Sequence, residues 1–276
     1  MDDSQGRVGG GPAQIRSLTV AVPALNEQKN IEATIRAVLG AAAKTPDLHV
    51  EIVVVDDGSK DRTSEIVEAM ARQYANVRLI RNAQNIGLGA SIRRAIESSG
   101  TEKFLFIPGD NDIPSTTLEL LFGNAYAADL VMLYFQNDES RGRVRYLVSE
   151  AFRLIYTTFF DLYVMYINGP AVYPLPKLRE LDLHSTRFSI VAEINVKLLR
   201  QGLSFIEIPS NRQVGLEGST SATLRSLVET GRVFLQVVRD VFFREPARYS
   251  KRPVRVPYEA SLARILTNFP KPPGAG

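Results

Sequence analysis

The sequence predicts an α/β fold built on an open, doubly wound, mostly parallel sheet with helices on both faces. Short β-rich runs alternate with stretches of helical periodicity through the first half of the chain, the arrangement of consecutive β-α units. The β-rich runs are apolar without polar alternation, as expected for strands that are covered on both faces. Polar, turn-forming residues follow each run directly.

The elements follow one another in a regular order. The predicted strands are residues 18–22, 50–55, 77–80 and 104–107. Each of the first three is followed by apolar residues at the spacing of one helix face. These residues are Ile31, Ile35, Val38 and Leu39, then Ile66, Val67, Met70 and Tyr74, and then the apolar residues of 89–98. Three consecutive β-α units therefore predict the parallel part of the sheet.

The composition is that of an ordinary globular chain and excludes several kinds of site. The 276 residues are 45% hydrophobic and 23% charged, which excludes disorder for most of the chain. With no Cys and two His, we expect no disulfide scaffold, thiolate or multi-histidine metal site, or Ser-His-Asp triad. A net charge of +3 is too small to predict a nucleic-acid partner. No apolar run is long enough to predict a transmembrane helix.

Four polar loops follow the four strands and meet at one edge of the predicted sheet. They begin at Pro23, Asp56, Asn82 and Pro108, and three of them contain carboxylates. In an open α/β sheet, ligands bind outside the carboxyl ends of the strands. One such loop alone is typical of an ordinary turn, whereas four together indicate a binding site.

The loop after the fourth strand carries two carboxylates two positions apart, Asp110 and Asp112. Such a pair suits a hard cation, and Mg²⁺ or Mn²⁺ commonly binds one or two carboxylates together with substrate phosphates. Asp56 and Asp57 add oxygens that only accept hydrogen bonds, which suits donors on a base or ribose. The sequence therefore predicts a nucleoside diphosphate ligand whose pyrophosphate meets a divalent metal.

Other classes of protein fit these residues less well. The Gly87-x-Gly89 turn matches part of a dinucleotide-binding fingerprint, but Ile92 stands where the third Gly belongs. Gly87 is therefore either a ligand contact or a residue that makes a tight turn. A nucleotidyltransferase needs a Gly-rich, basic loop after the first strand, and residues 24–27 offer neither feature. A non-catalytic nucleotide-binding protein remains an alternative, although the intact carboxylates favour an enzyme.

The motifs together resemble those of family 2 glycosyltransferases, most closely the branch similar to dolichyl-phosphate mannose synthase. The matching segments are Pro23-Ala-Leu-Asn-Glu27, Val55-Asp-Asp-Gly-Ser59, Asn85-x-Gly-x-Gly89 and Asp110-x-Asp112. The resemblance covers about residues 17–240. It implies a nucleotide-sugar-binding domain of the GT-A fold, a divalent metal (Mg²⁺ or Mn²⁺), and transfer of a hexose from a UDP- or GDP-sugar with inversion at the anomeric carbon.

The resemblance also implies roles for individual residues. Asp110 would contact the ribose or the metal, and Asp112 would hold the metal and act in catalysis. The residues implied to bind the nucleotide sugar are Pro23, Ala24, Asn26, Glu27, Asp56, Asp57, Gly87, Asp110 and Asn111. A later family segment, Arg-x-x-Gly-x-Ser-Lys, is matched in part by residues 212–220 without the Lys. This match assigns Arg212 and Ser219 to an acceptor phosphate.

The nature of the acceptor decides between two catalytic residues. A lipid phosphate is already an anion and needs cations to orient it, for which Arg212 is the candidate. A sugar or polyol hydroxyl needs a carboxylate to take its proton. Glu193 is the candidate there, because its apolar sequence context favours a raised pKa. A structural role is the alternative for both residues.

The last quarter of the chain is basic and amphipathic. From Arg225 onward, ten Arg or Lys stand against four acidic residues, a net +6, and apolar residues recur at helical spacing as far as Phe242. Such a segment is typical of a helix lying on anionic lipid, and a solvated basic helix is the alternative. A further apolar helix, predicted over residues 146–166, belongs to the core, to a dimer interface or beside a lipid chain.

These features predict a domain organisation and a location. Residues 1–16 and 270–276 are predicted to be flexible tails, residues 17–222 a GT-A domain, and residues 223–269 a C-terminal amphipathic basic helical segment. The expected partners are a nucleotide diphosphate sugar, a lipid-phosphate or hydroxyl acceptor and an anionic membrane surface, with a homo-oligomer left open. The expected location is the cytoplasm, with the protein peripheral at the cytoplasmic face of the membrane.

Overall fold

An eight-stranded sheet organises the computed structural model, which describes residues 16–136, 143–211 and 224–256. The strands are β1 (Arg16–Ala24), β2 (Leu48–Asp56), β3 (Val77–Arg81), β4 (Lys103–Phe106), β5 (Leu130–Phe135), β6 (Ala171–Pro174), β7 (Ser204–Ser210) and β8 (Val254–Arg255). The helices are α1 (Ile31–Ala43), α2 (Thr63–Gln73), α3 (Leu88–Ser98), α4 (Ser115–Gly123), α5 (Arg143–Phe159), α6 (Leu175–Arg179), α7 (Ile190–Arg200) and α8 (Leu224–Arg239). A π-helical turn, Asp240–Arg244, continues α8.

The sheet is mostly parallel, as the sequence predicts. Its strand order is β3-β2-β1-β4-β6-β5-β7-β8. Every pair in the sheet is parallel except the two made by β6, which runs antiparallel to both β4 and β5. Strand β6 has four residues, Ala-Val-Tyr-Pro, and joins β1–β4 on one side to β5, β7 and β8 on the other.

Helices cover both faces of the sheet, which confirms the doubly wound prediction. Successive side chains of a strand point to opposite faces, and in β2 Val53 packs into one core cluster while Val54 packs into the other. One cluster joins the sheet to α3, α5, α7 and α8, and the other joins it to α1, α2 and α4. The apolar runs 20–22 in β1 and 52–55 in β2 follow from this double coverage.

The strand order creates a crevice between β1 and β4. The chain passes from β1 outward to β2 and β3 and then returns to the other side of β1 as β4. Such a reversal of strand order is the position at which open α/β sheets bind ligands. The loops after β1 and β4 therefore flank the natural ligand crevice of this fold.

Helix α5 ends earlier than the apolar pattern predicts. The predicted helix runs to residue 166, whereas α5 ends at Phe159. Asp161 adopts a left-handed conformation with φ of 51°, and the N–H of Leu162 donates to the carbonyl of Thr157 at 2.8 Å. This pattern is a Schellman cap, which satisfies the last carbonyls of the helix and turns the chain away. Apolar periodicity alone does not reveal such a stop.

The predicted C-terminal helical segment is divided in the structure. Val233, Val237 and Val241 are buried along one side of α8 and the π-helical turn. The N–H of Glu245 donates to the carbonyl of Asp240 at 3.0 Å, closing the wider turn. The chain then reaches β8 instead of remaining helical, and residues 257–276 lie outside the described residues. Among the described helices, none is long and apolar enough to cross a membrane.

Candidate functional site

The loops after β1 and β2 are held together by direct hydrogen bonds. The N–H of Asn26 donates to the Ser59 hydroxyl at 2.8 Å, and the Asn26 side-chain oxygen accepts from the N–H of Lys60 at 2.9 Å. The N–H of Glu27 donates to the Thr63 hydroxyl at 2.8 Å. Asn26 has a φ of 58°, a conformation that Asn tolerates better than most residues. Asn26 therefore fixes the shape of this edge of the crevice.

The loop after β4 lies directly against the end of β1. The N–H of Gly109 donates to the carbonyl of Pro23 at 3.2 Å. A Cβ on Gly109 would lie 3.3 Å from the Cβ of Ala24, so a larger residue would push the two loops apart. Pro23 and Ala24 are buried and contribute to this edge through their backbone carbonyls. The carbonyl of Ala24 also accepts a hydrogen bond from the N–H of Asp57 at 2.8 Å.

Asp110, Asn111 and Asp112 form a half-buried turn at the mouth of the crevice. Asn111 has a φ of 60°, and the N–H of Asp112 donates to the Asp110 carboxylate at 3.2 Å. The Thr34 hydroxyl of α1 donates to the carbonyl of Gly109 at 3.0 Å, anchoring the turn to the first helix. The backbone of the two carboxylates is thus fixed before any ligand binds.

Negative charge is concentrated around Glu27. Burial raises the pKa of the Glu27 carboxyl, a hydrogen bond from Asn30 opposes this, and the nearby carboxylates of Asp110 and Asp61 raise it further. The described residues hold no group of three or more His, Cys, Asp or Glu placed to bind a metal by themselves. A site with a pair of carboxylates fits a cation that takes its remaining ligands from phosphate and water.

Asp56 lies at the end of β2 and is buried, as a base-binding carboxylate should be. One of its oxygens accepts the N–H of Ser59 at 2.9 Å, and the other accepts the Ser64 hydroxyl. Since a carboxylate offers about four lone pairs, these two contacts fix its orientation and leave acceptor capacity for a ligand.

Asp57 has a different environment, which supports a structural role instead of the predicted nucleotide contact. Its carboxylate accepts the side-chain amide of Asn82 at 2.8 Å and the N–H groups of Ile86 and Gly87, both at 2.9 Å. Three donors occupy a side chain that is almost fully buried. Asp57 therefore holds the loop after β3 in place.

Gly87 and Gly89 admit the backbone of a distant segment rather than leaving space for a phosphate. Gly87 has a φ of 96°, and a Cβ there would lie 2.4 Å from the carbonyl oxygen of Thr186. The N–H of Gly89 donates to that same carbonyl at 2.9 Å. Of the two alternatives for Gly87, the tight-turn role is the one supported by these contacts.

The environment of Glu193 does not support its predicted role as a catalytic base. Its oxygens accept the N–H groups of His184 and Ser185 at distances from 2.9 to 3.1 Å, and the ammonium group of Lys197 at 2.9 Å. The side chain has no exposed surface. A base must reach the proton that it takes, so this fully engaged carboxylate supports the structural alternative. The apolar sequence context of Glu193 signals core burial.

The two acceptor-phosphate candidates, Arg212 and Ser219, lie outside the described residues. Their assignments remain predictions.

The comparison with protein families decides the classification. The model described as "Glycosyl transferase family 2" matches residues 19–178, more than half of the chain, and includes every loop of the crevice. The chain belongs to glycosyltransferase family 2. The prediction drawn from the four motifs is confirmed.

Two curated relatives of this family 2 chain are named for dolichyl phosphate and for cholesterol. It is 37% identical over 101 residues to the human dolichyl-phosphate beta-glucosyltransferase, covering 34% of this chain and 31% of that protein. It is 29% identical over 120 residues to the cholesterol galactosyltransferase of Borreliella burgdorferi, covering 43% of this chain and 32% of that protein. The chain thus matches about a third of the length of these relatives.

The fold also matches solved structures. Glucosyl-3-phosphoglycerate synthase from Mycobacterium tuberculosis, solved with Mg²⁺ and UDP, superposes with a TM-score of 0.60 at 18% identity, covering 82% of this chain and 79% of that one. At this identity the likeness concerns the fold, and it confirms the GT-A prediction for this family 2 member.

Several residues that shape the site were not named as site residues by sequence reasoning. Ser59 and Thr63 brace the first two loops, and Ser64 orients Asp56. Lys197 stands four residues after Glu193, a spacing that brings opposite charges together on a helix. This spacing in the sequence indicates an ion pair between the two residues. The packing of Thr186 on the Gly87 turn has no local signal in the sequence.

Proposed function

We propose that the protein transfers a hexose from a UDP- or GDP-sugar to a polyprenyl-phosphate-type lipid acceptor, with inversion at the anomeric carbon. One observation carries this proposal: Asp56 and the Asp110–Asp112 turn follow the carboxyl ends of β2 and β4, the two strands on either side of β1, on loops whose backbones are fixed by hydrogen bonds. Family membership supplies the class of reaction. We place the protein at the cytoplasmic face of a membrane.

The nucleoside half of the donor is assigned to the β1 and β2 loops. Asp56 accepts a donor on the base, because it is buried, oriented by Ser59 and Ser64, and has lone pairs left. Asn26 and Glu27 border the same space. The ribose lies towards Asp110, with Asn111 beside it.

Asp110 and Asp112 are the residues that would hold Mg²⁺ or Mn²⁺. Their oxygens are the hard donors that these ions prefer, and the carboxylate of Glu27 near Asp110 adds negative charge that favours a cation. When bound, such an ion stabilises the negative charge of a departing nucleoside diphosphate without proton transfer. Solved relatives in fold were crystallised with Mn²⁺ and UDP-glucose, which is consistent with this assignment.

The lipid-phosphate acceptor is favoured over a neutral hydroxyl by the environment of Glu193. A hydroxyl acceptor needs a base, and the carboxylate named for that role is enclosed and fully engaged. A phosphate acceptor is already anionic and needs no strong base. Relatives named for dolichyl phosphate support the same choice.

A small, phosphate-bearing acceptor is the second candidate. The glucosyl-3-phosphoglycerate synthase structures that share this fold contain phosphoglyceric acid or glycerol 3-phosphate. Such an acceptor would not require a lipid surface.

The experiment is a nucleotide-release assay with purified protein. UDP-glucose, UDP-galactose and GDP-mannose are each incubated with polyprenyl phosphate in detergent or with 3-phosphoglycerate, in Mn²⁺ and in EDTA. We expect metal-dependent release of UDP or GDP that requires polyprenyl phosphate. Release that requires 3-phosphoglycerate would select the second candidate, and the lack of release with every donor would contradict the proposed transfer.

A further inference from the structure

Large apolar side chains are exposed in two segments of the chain, residues 147–165 and 228–254, which pack against each other. These segments hold twelve of the fifteen exposed large apolar side chains in the part of the chain that the structure describes. We call this set the α5–α8 face, and it consists of Leu147, Val148, Leu154, Ile155, Phe159, Tyr163, Met165, Val228, Leu235, Phe242, Phe243 and Val254. Single exposed apolar residues are ordinary, whereas a concentration of this kind marks an interaction site.

Helix α5 is apolar on the side that faces solvent. Tyr156 is buried and stacks on Phe152 with ring centroids 4.3 Å apart, so the inward side of the helix is already filled. Leu154 and Ile155 remain 60% and 55% exposed, and Leu147 lies on the same side at a spacing of seven residues. A surface helix normally places polar residues there.

The two segments form one continuous surface. The ring of Phe159, at the end of α5, lies 5.6 Å from the ring of Phe242 in the π-helical turn. Arg252 pairs with Asp161 at 2.8 Å, which joins the chain after the π-helical turn to the cap of α5. Phe243, which follows Phe242 in the chain, is 76% exposed.

Helix α8 adds an apolar stripe with arginines beside it. Val228 and Leu235 are seven residues apart on α8 and lie close to one line along the helix, and Phe242 follows in the π-helical turn. Arg232 and Arg239 are four residues after Val228 and Leu235 and are exposed on the adjoining side. The combination of an apolar stripe with flanking guanidinium groups is typical of helices that lie in a membrane interface.

The segment that contains α8 and β8 carries an excess of basic residues. Residues 224–256 contain eight Arg or Lys and three acidic residues. Of these acids, Asp240 is buried, and Glu229 accepts the hydroxyls of Ser185 and Ser189. The side chains of Arg239 and Arg252 are 58% and 79% exposed. Arg244, Arg252 and Arg255 pair with acids outside this range, Asp182, Asp161 and Glu207, so part of the positive charge is offset locally.

We infer that the α5–α8 face docks on an anionic lipid bilayer. Its apolar side chains enter the interface between headgroups and acyl chains, and the arginines beside them meet lipid phosphates. A second copy of this chain fits less well, because a two-fold interface places the same patch against itself and would bring arginines against arginines. The inference rests on this face and not on the donor or acceptor proposed above.

The test is flotation of the full-length protein with vesicles of phosphatidylcholine alone or mixed with phosphatidylglycerol, at low and high salt. We expect binding to the mixed vesicles at low salt and much weaker binding to neutral vesicles. Leu154→Gln and Phe243→Gln should each lower partitioning about tenfold or more, since one large apolar side chain no longer enters the interface. Arg252→Gln should lower it about fivefold.

Arg36→Gln is the matched control, because Arg36 is also an exposed arginine paired with one exposed acid, on α1. It should partition like the wild type, and all variants should keep the wild-type circular dichroism spectrum and melting temperature. Equal partitioning of Leu154→Gln and wild type would overturn the inference. So would sedimentation velocity showing a dimer that Leu154→Gln dissociates, together with no vesicle binding, which would assign the face to a second copy.

Discussion

The ammonium nitrogen of Lys197 lies 2.9 Å from a carboxylate oxygen of Asp240, and this buried ion pair joins α7 to the π-helical turn after α8. The same nitrogen lies 2.9 Å from an oxygen of Glu193. His184 Nε2 also contacts Asp240, at 2.6 Å. The charges form one enclosed network, in which Lys197 stands between two acids.

Removing Lys197 should therefore be strongly destabilising. Lys197→Met leaves Glu193 and Asp240 without their cation, and breaking a buried pair in this way costs about 3–5 kcal/mol. Urea unfolding at neutral pH measures the loss. Lys44→Met is the control, since Lys44 forms an exposed pair with Glu119 and should change the free energy of unfolding by less than about 1 kcal/mol. Similar losses in both variants would contradict the role of the network.

The network also predicts a dependence of stability on pH. Burial acts to raise the pKa of Asp240, but hydrogen bonds from Lys197 and His184 outweigh it, so that pKa lies below the usual 3.8. The folded state then binds this proton less readily than the unfolded state. The contribution is fully present above pH 3.8 and is lost as the pH falls through the lower, folded-state pKa.

Unfolding curves of wild type and Asp240→Asn between pH 7 and acid conditions test this sign. The difference in stability between the two proteins should shrink as the pH falls. A constant difference would show that Asp240 does not titrate with folding.

Asp112→Ala should abolish sugar transfer while leaving the fold intact. The residue stands in a half-buried loop turn and outside both core clusters, so little packing is lost. Activity with Mn²⁺ and the thermal unfolding midpoint are measured together. Asp47→Ala, a change in an exposed turn before β2, should keep wild-type activity. Undiminished turnover of Asp112→Ala would remove this residue from the metal assignment.

Asp56→Asn should weaken nucleotide binding by about 1–3 kcal/mol, because an acceptor oxygen is replaced by an NH₂ donor. The fold should tolerate the change, since the Ser64 hydroxyl that contacts Asp56 can rotate to accept. Isothermal titration with UDP and GDP gives the affinities. Ser64→Ala, which removes that contact but keeps the carboxylate, serves as the control with a smaller effect. Equal affinity of Asp56→Asn and wild type would leave Asp56 a turn residue.

Gly87→Ala should destabilise the protein by at least about 1–3 kcal/mol, because the residue is held at φ of 96° and an added Cβ would meet the Thr186 carbonyl oxygen at 2.4 Å. Gly40→Ala is the contrasting change. Gly40 lies in α1 with nothing within 4 Å of an added Cβ, so it should gain about 0.5–1 kcal/mol from helix propensity. Chemical denaturation that ranks the two variants in the opposite order would contradict the close packing of Thr186.

The first half of the fold was predictable because its signals are local. Apolar runs such as 50–55 and helical spacing such as Ile31–Ile35–Val38 appear directly in the sequence, and the structure places β2 and α1 there. Strand β6 was not predictable in this way. It has four residues, and its position between β4 and β5 is set by pairing with residues far away in the chain.

The same distinction between local and long-range signals applies to the residues of the site. Asp56 and the Asp110–Asp112 turn were located by their position after buried strands, which the sequence shows. Glu193 was misjudged, because an apolar context is common to a perturbed base and to a core ion pair. Its direct partner, Lys197, stands four residues later, but Asp240, the second acid that Lys197 pairs with, is distant in sequence and has no local signal there.

The antiparallel strand β6 has a consequence for how the chain folds. It joins the two halves of the sheet through the pairs Lys103↔Pro174 and Phe104↔Tyr173 on one side and Val131↔Val172 and Met132↔Ala171 on the other. During synthesis, β1 to β4 emerge first and pair among themselves, whereas β5 has no neighbour until β6 and β7 have left the ribosome. Non-local pairing of this kind is slow, and an open strand edge promotes aggregation. The nascent chain is therefore most vulnerable from the synthesis of β5 until β7 is complete, over residues 130–210.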